Sequence, residues 1–309
     1  MSILGIDRIT YGVEDLAECR RFLLDWGLKL VEESPEAAAF ETLNGCEVHV
    51  RRIDDPSLPA PIEAGSTLRQ VLWGTESTAD LERLRAALGG EGKWSAAEAT
   101  LYTTDANGLG LGFRATRKRP IDVQGVPINA WGTPGRGVNR RSTFYERATP
   151  VEVGHVVFFT DRLAEAERFY VERLGFRVSD RYPGRGVFLR CAPDGGHHDL
   201  FLLQPPAAKR GLNHVAFTVR DIHEVFGGGL HISRRGWETE IGPGRHPISS
   251  AYFWYVKNPA GGLAEYYSDE DQLDAAWEPR EFQQTPEMFA EWAVIGGVDG
   301  KSRRARRAP

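Results

Sequence analysis

GIDRITYGVEDLAECRRFLLDWGLKLVEES, residues 5–34, and VGHVVFFTDRLAEAERFYVERLGFRVSDR, residues 153–181, are two copies of one pattern. Each opens with a short β-rich run, enters an amphipathic helix, and meets a glycine before a second β-rich run. In the later copy Leu163, Ala166, Phe169, Tyr170 and Leu174 share a helical stripe, and Gly175 stands where a helix C-terminus is expected. Leu16, Phe22, Leu23 and Gly27 play the same parts in the earlier copy.

The repetition extends outward from these segments. LRQVLWGTESTADLERLRAAL, from Leu68, matches LNHVAFTVRDIHEVF, from Leu212, and ANGLGLGFRA, from Ala106, matches PAGGLAEYYS, from Pro259. Each half is therefore a βαβββ unit written twice, an α+β chain of four such units. The expected segments are a first module over 1–117, a linker over 118–149 rich in Pro, Gly and Arg, a second module over 150–280, and a final 281–309 with a short helix around Met288 to Trp292 and a basic tail. Four βαβββ units, paired two by two, resemble the vicinal oxygen chelate fold of glyoxalases and bleomycin-resistance proteins. That resemblance implies two barrel domains, each open on one side where a ligand or metal can sit.

Composition narrows the class further. A chain of 309 residues can bury two cores, and its 41% hydrophobic and 26% charged residues are those of a globular protein. A net charge of -5 gives no reason to expect nucleic acid. Lys301 to Arg307, five cations in seven residues, reads as a solvated terminus rather than an anion-binding arm. Cys19, Cys46 and Cys191 form no CxxC pair, which fits a reducing, cytoplasmic setting. No apolar run approaches the roughly 18 residues of a membrane helix.

Of the eight histidines, all but His49 lie in the second half. His155 sits on the third unit's first strand, His214 on the fourth unit's first strand in the matching place, and Glu265 on the fourth unit's last strand. Their neighbours at i±2 are mostly apolar, so a strand period of two points all three inward. Two imidazoles and a carboxylate are the facial triad of non-haem Fe(II), which leaves open positions for a chelating substrate and O2. A lone inward histidine is usually a satisfied core residue; three such groups on matching strands are not. The equivalent positions of the first half, Arg8, Gln70 and Gly112, cannot make this site.

GPGRHPISSAYFWYVKNPAGGLAEYY, residues 242–267, resembles the fingerprint of type I extradiol dioxygenases, with His246, Tyr255 and Glu265 in the family's spacing. Trp254 departs from it, since an aliphatic residue or Phe usually precedes the Tyr. GGHHDLFLLQ, residues 195–204, supplies His198 ahead of His214, where the family places a catalytic His. The resemblance implies a catechol opened with O2 next to its hydroxyls. His155, His214 and Glu265 would hold Fe(II), or Mn(II), which accepts the same donors. His198 would be the general acid on the O2 side, Tyr255 a hydrogen-bond donor to substrate oxygen, and His246 a further donor. His197 is expected to face away from His198 by alternation, so its loss should cost little. His49, His223 and His231 fit exposed or rim positions, and Gly227 to Gly229 reads as the end of a helix.

Val157, Phe188 and Phe253 are expected to line the substrate pocket, which points to an uncharged alkyl- or aryl-catechol. A homo-oligomer is expected, as in related enzymes. Other readings are another enzyme of the fold (an isomerase, a thiol transferase or a hydroxyphenylpyruvate-type oxygenase) or a metal-free binding protein.

Overall fold

The computed structural model describes residues 2–298, so the basic tail lies outside the described residues. The first unit is β1 (Ile3–Val13), α1 (Leu16–Asp25), β2 (Lys29–Glu33), β3 (Ala37–Glu41) and β4 (Glu47–Arg52). The second is β5 (Thr67–Thr75), α2 (Thr78–Leu88), β6 (Lys93–Ser95), β7 (Thr100–Thr104) and β8 (Gly110–Ala115). Between the halves the chain is irregular apart from a small hairpin of β9 (Asn129–Ala130) and β10 (Thr133–Pro134).

The third unit runs through β11 (Glu152–Phe159), α3 (Leu163–Arg168), β12 (Arg177–Tyr182), β13 (Gly186–Arg190), a two-residue β14 (Gly195–Gly196) and β15 (Leu200–Leu203). The fourth is β16 (Gly211–Thr218), α4 (Ile222–Arg234), β17 (Thr239–Arg245), β18 (Tyr252–Lys257) and β19 (Leu263–Ser268). Short β20 (Gln272–Leu273) and β21 (Arg280–Glu281), α5 (Pro286–Phe289) and β22 (Trp292–Ile295) follow.

The two large sheets have the same strand order. The first is β2-β3-β4-β1-β5-β8-β7-β6; the second is β12-β13-β15-β11-β16-β19-β18-β17, with β21 and β22 added at its two ends. The α+β, four-unit architecture read from the repeats is thus the one observed. The helix expected around Met288 to Trp292 is shorter: it stops at Phe289, and Trp292 opens the edge strand β22.

Local chemistry explains the elements. Asp15 and Asp221 cap α1 and α4 by accepting from the backbone N–H of Glu18 and Glu224. Gly27, just past α1, and Gly175, just past the π-helical continuation of α3 over Phe169–Arg173, take left-handed φ of 96° and 80°. The stripe from Leu163 to Leu174 is buried throughout. The glycine run does not end a helix but lies inside α4, and packing is the reason. A Cβ on Gly229 would come within 2.0 Å of Trp254, and one on Gly228 within 2.8 Å of Tyr266, so the bare backbone lets α4 settle onto β18 and β19. This also accommodates Trp254, whose Nε1 donates to Thr239 Oγ1 at 2.9 Å.

One apolar core runs through both halves. All three cysteines are buried and free. Among the described residues no helix is long and apolar enough to cross a membrane.

Candidate metal centre and active site

Three neighbouring strands, β11, β16 and β19, carry His155, His214 and Glu265. Their register fixes the geometry. Ala216 pairs with His155 on one side and Glu265 on the other, and His214 stands two residues before Ala216 on the same face. Ala216, missed in the sequence, is buried with Ala251 and Tyr267 between the donor-bearing strands. The first half repeats this register without the donors: Leu72 pairs with Arg8 and with Gly112, and Gln70 stands two before it. There Arg8 and Arg114 pair with Glu47 instead.

The ligating atoms form a nearly equilateral triangle. His155 Nε2 lies 3.3 Å from His214 Nε2, and each lies 3.2 Å from Glu265 Oε2. Such edges suit one face of an octahedron. All three residues are buried, yet Glu265 Oε2 makes no hydrogen bond although two imidazoles flank it, and His155 Nδ1 is also without a partner. An unsatisfied carboxylate oxygen at the meeting point of two ring nitrogens fits a cation and fits little else.

Electrostatics keep the donors in ligating form. Burial pushes the His155 imidazolium pKa down to about 3, helped by the neighbouring His198, and burial lowers that of His214 too. Burial alone would raise the Glu265 carboxyl, but the imidazoles of His155, His214 and His246 around it outweigh burial and hold the group well below the usual carboxylate range. Neutral imidazoles beside an ionised carboxylate are what a divalent metal requires. Asn213 Oδ1, 2.7 Å from His214 Nδ1, accepts that N–H and turns the Nε2 lone pair toward the centre.

Around this triangle opens a cavity of about 450 Å³. His198, His246 and Tyr255 all line it, as do Val157 and Phe188. The Tyr255 hydroxyl stands 3.0 Å from His246 Nε2, whose other nitrogen donates to the Phe289 carbonyl at 2.6 Å. Since Nδ1 carries the His246 proton, Nε2 accepts from Tyr255. Burial and then the Glu265 charge raise the Tyr255 pKa well above its ordinary value, so this phenol stays a donor. The aromatic wall is a parallel stack of Phe188 and Phe201, with centroids 3.9 Å apart. Among the described residues no Lys or Arg lines the cavity.

Two expectations need correction. Phe253 is not in the cavity wall; it stacks under the His246 ring at 4.1 Å, so it supports that ring rather than touching a ligand. His197 does not turn away from His198. It is fully buried, its Nδ1 lies 3.2 Å from His198 Nδ1, and its Nε2 lies 2.8 Å from Asp180 Oδ2. Alternation failed because His197 and His198 sit between strands: β14 ends at Gly196 and β15 starts at Leu200. Glu270, 3.3 Å from His198 Nδ1, was also missed. His49, His223 and His231 are half-buried.

Residues 152–266 match the Glyoxalase/Bleomycin resistance protein/Dioxygenase superfamily. The chain is similar to metapyrocatechase 2 of Cupriavidus necator, 36% identical over 167 residues, which are 53% of this chain and 51% of that protein; the likeness thus spans about half of that relative. It is 24% identical to metapyrocatechase of Geobacillus stearothermophilus over 76% of this chain and 75% of that one. In fold it resembles a Mn(II)-bound glyoxalase from Novosphingobium aromaticivorans, with a TM-score of 0.76 at 22% identity over 99% of this chain and 95% of that one.

Proposed function

Residues 152–266 being a Glyoxalase/Bleomycin resistance protein/Dioxygenase superfamily domain, we propose that the protein is an extradiol dioxygenase that opens catechols with O2 at the His155, His214 and Glu265 centre. The observation that carries the reading is the triangle of three donor atoms with an unsatisfied carboxylate oxygen, at the floor of an apolar cavity that also holds His198, His246 and Tyr255. Relatives named metapyrocatechase support the same chemistry.

His155, His214 and Glu265 would hold Fe(II), with Mn(II) accepted by the same donors. Bound there, the ion supplies a Lewis acid that lowers the pKa of chelating hydroxyls and a path for electrons from ring to O2. The chain's own groups do the rest. His198 takes the proton of a catechol hydroxyl and returns it to the oxygen of the opening ring. Tyr255, held protonated, would turn its one O–H from His246 Nε2 to a substrate oxygen. His246 orients Tyr255, with Phe253 stacked beneath it. Phe188, Phe201 and Val157 exclude water and hold the ring's substituent.

Because apolar side chains make up most of the cavity lining and no cation does among the described residues, the substituent is an uncharged alkyl or aryl group. The test is metal-stripped protein reloaded with Fe(II) or Mn(II) under argon, then given catechol, 3-methylcatechol, 2,3-dihydroxybiphenyl and homoprotocatechuate in air. Appearance of the yellow ring-fission product is expected with the first three, and kcat/KM highest for the substituted, uncharged pair. Preference for the carboxylate-bearing catechol would overturn the substrate reading. No opening of any catechol would overturn the reaction.

A further inference from the structure

Behind His198 runs a polar chain, exposed at Arg280 and buried at Asp180 and His197, that the ring-opening chemistry does not itself require. Arg280, on β21, donates to Asp180, on β12, through Nε at 3.2 Å, Nη2 at 2.6 Å and its backbone N–H at 2.7 Å. Trp277 lies under the guanidinium, 4.4 Å from it. Asp180 and His197 are fully buried and bonded at 2.8 Å, and His197 reaches His198 at 3.2 Å. Glu270 Oε1 stands 3.3 Å from the same His198 nitrogen.

Proton counting fixes every tautomer in this chain. Burial holds the His197 imidazolium pKa below its ordinary value despite Asp180, so the ring is neutral and carries one N–H. A carboxylate can only accept, so that N–H is on Nε2 and points at Asp180. His197 Nδ1 is then a bare acceptor. His198 Nδ1 faces two acceptors, His197 Nδ1 and Glu270 Oε1, and must be the donor. In the neutral ring that proton is the only one, and Nε2 is left with a free lone pair.

We propose that Asp180 and His197, anchored by Arg280, are positioning residues that lock His198 in its Nδ1–H tautomer and present bare Nε2 to the cavity. This rests on the reading of His198 as the acid–base group. In that role a catechol O–H bond breaks, an N–H bond forms at Nε2, and His198 becomes an imidazolium flanked by Glu270. The proton later leaves Nε2 for the product oxygen, which restores the starting tautomer. Without His197 only Glu270 remains at Nδ1, and the ring, no longer wedged from its buried side, can turn or carry its proton on Nε2, where it cannot accept.

Substitution of Asp180 by Asn separates the idea from plain structural support. Arg280 would hold the Asn carbonyl, so the amide N–H₂ faces His197 Nε2. His197 must then carry its proton on Nδ1, against His198. His197→Gln is the compensating variant, since its amide can donate to Asp180 and its carbonyl can accept from His198.

The test is ¹⁵N–¹H correlation of ring nitrogens in full-length, ¹⁵N-histidine-labelled protein loaded with diamagnetic Zn(II), paired with single-turnover kinetics of the Fe(II) form. Expected is an Nδ1–H His198 in the wild type and in His197→Gln. Asp180→Asn and His197→Phe should lose it and lose kcat by about a hundredfold with KM little moved, while His197→Gln recovers most of that rate. An Nε2–H His198 in the wild type, or an unchanged tautomer in Asp180→Asn, would overturn the proposal. Were His198→Phe to turn over normally while the tautomers behaved as stated, the acid–base reading would fail and the positioning would stand.

Discussion

The Tyr266 hydroxyl donates to the Trp26 carbonyl at 2.6 Å while the two rings stack 3.6 Å apart. Trp26 ends α1 of the first half, and Tyr266 directly follows Glu265 on β19. The first half therefore braces the strand that carries the carboxylate. Trp26 also packs on Phe22 and Phe217, so its truncation would leave a large hole between the sheets. Trp26→Ala should cost about 3–5 kcal/mol, read as a fall in urea midpoint. A loss below about 1 kcal/mol would mean the halves are coupled elsewhere.

Matching registers with unmatched chemistry make a second expectation. Gln70 and His214 occupy equivalent places, two residues from the central Leu72 or Ala216. Gln70→Ala should leave catechol turnover unchanged within error, whereas His214→Ala should abolish it along with metal binding. Comparable losses would bring the first half into the chemistry.

Substituent choice should follow the Phe188 and Phe201 wall. Phe188 also meets His198 edge-on at 5.1 Å, so its trimming widens the cavity next to the reacting centre. Phe188→Leu should raise kcat/KM for 2,3-dihydroxybiphenyl relative to 3-methylcatechol by about tenfold, measured on the metal-loaded protein. An unchanged ratio would place the substituent against another wall.

Acid should destabilise the metal-free protein well above the carboxylate range. The unfolded His155 titrates near about 6.5, but burial holds the folded group to about 3. Between those values the unfolded chain binds the extra proton, so stability falls as pH falls through this window. His197, also lowered by burial, adds to the same trend. Urea midpoints at pH 7, 6, 5 and 4 should decline, and His155→Asn should flatten the decline. A flat wild-type profile would contradict the buried neutral imidazole.

The repeat is legible because each strand–helix–strand pattern is local, and the two copies place His155, His214 and Glu265 opposite Arg8, Gln70 and Gly112 in sequence alone. What stayed hidden depends on distant pairing. Arg280 reaches Asp180 from a short edge strand, and Trp292 to Ile295 become a strand only because β17 offers a free edge. His197 was misread because a strand period was applied across a break in the strand. Phe253 does share a side with Tyr255, but His246 lies between it and the cavity, which alternation alone cannot reveal.

Oxygen uptake during catechol opening, as Fe(II) or Mn(II) is titrated into metal-stripped protein, tests ring cleavage at this centre most directly. One O2 should disappear for each ring opened, catalase should return none of it, and the rate should level off at about one metal per chain, with no response in Glu265→Ala. Opening without O2 uptake, oxygen returned by catalase, or an undiminished metal response in Glu265→Ala would contradict it.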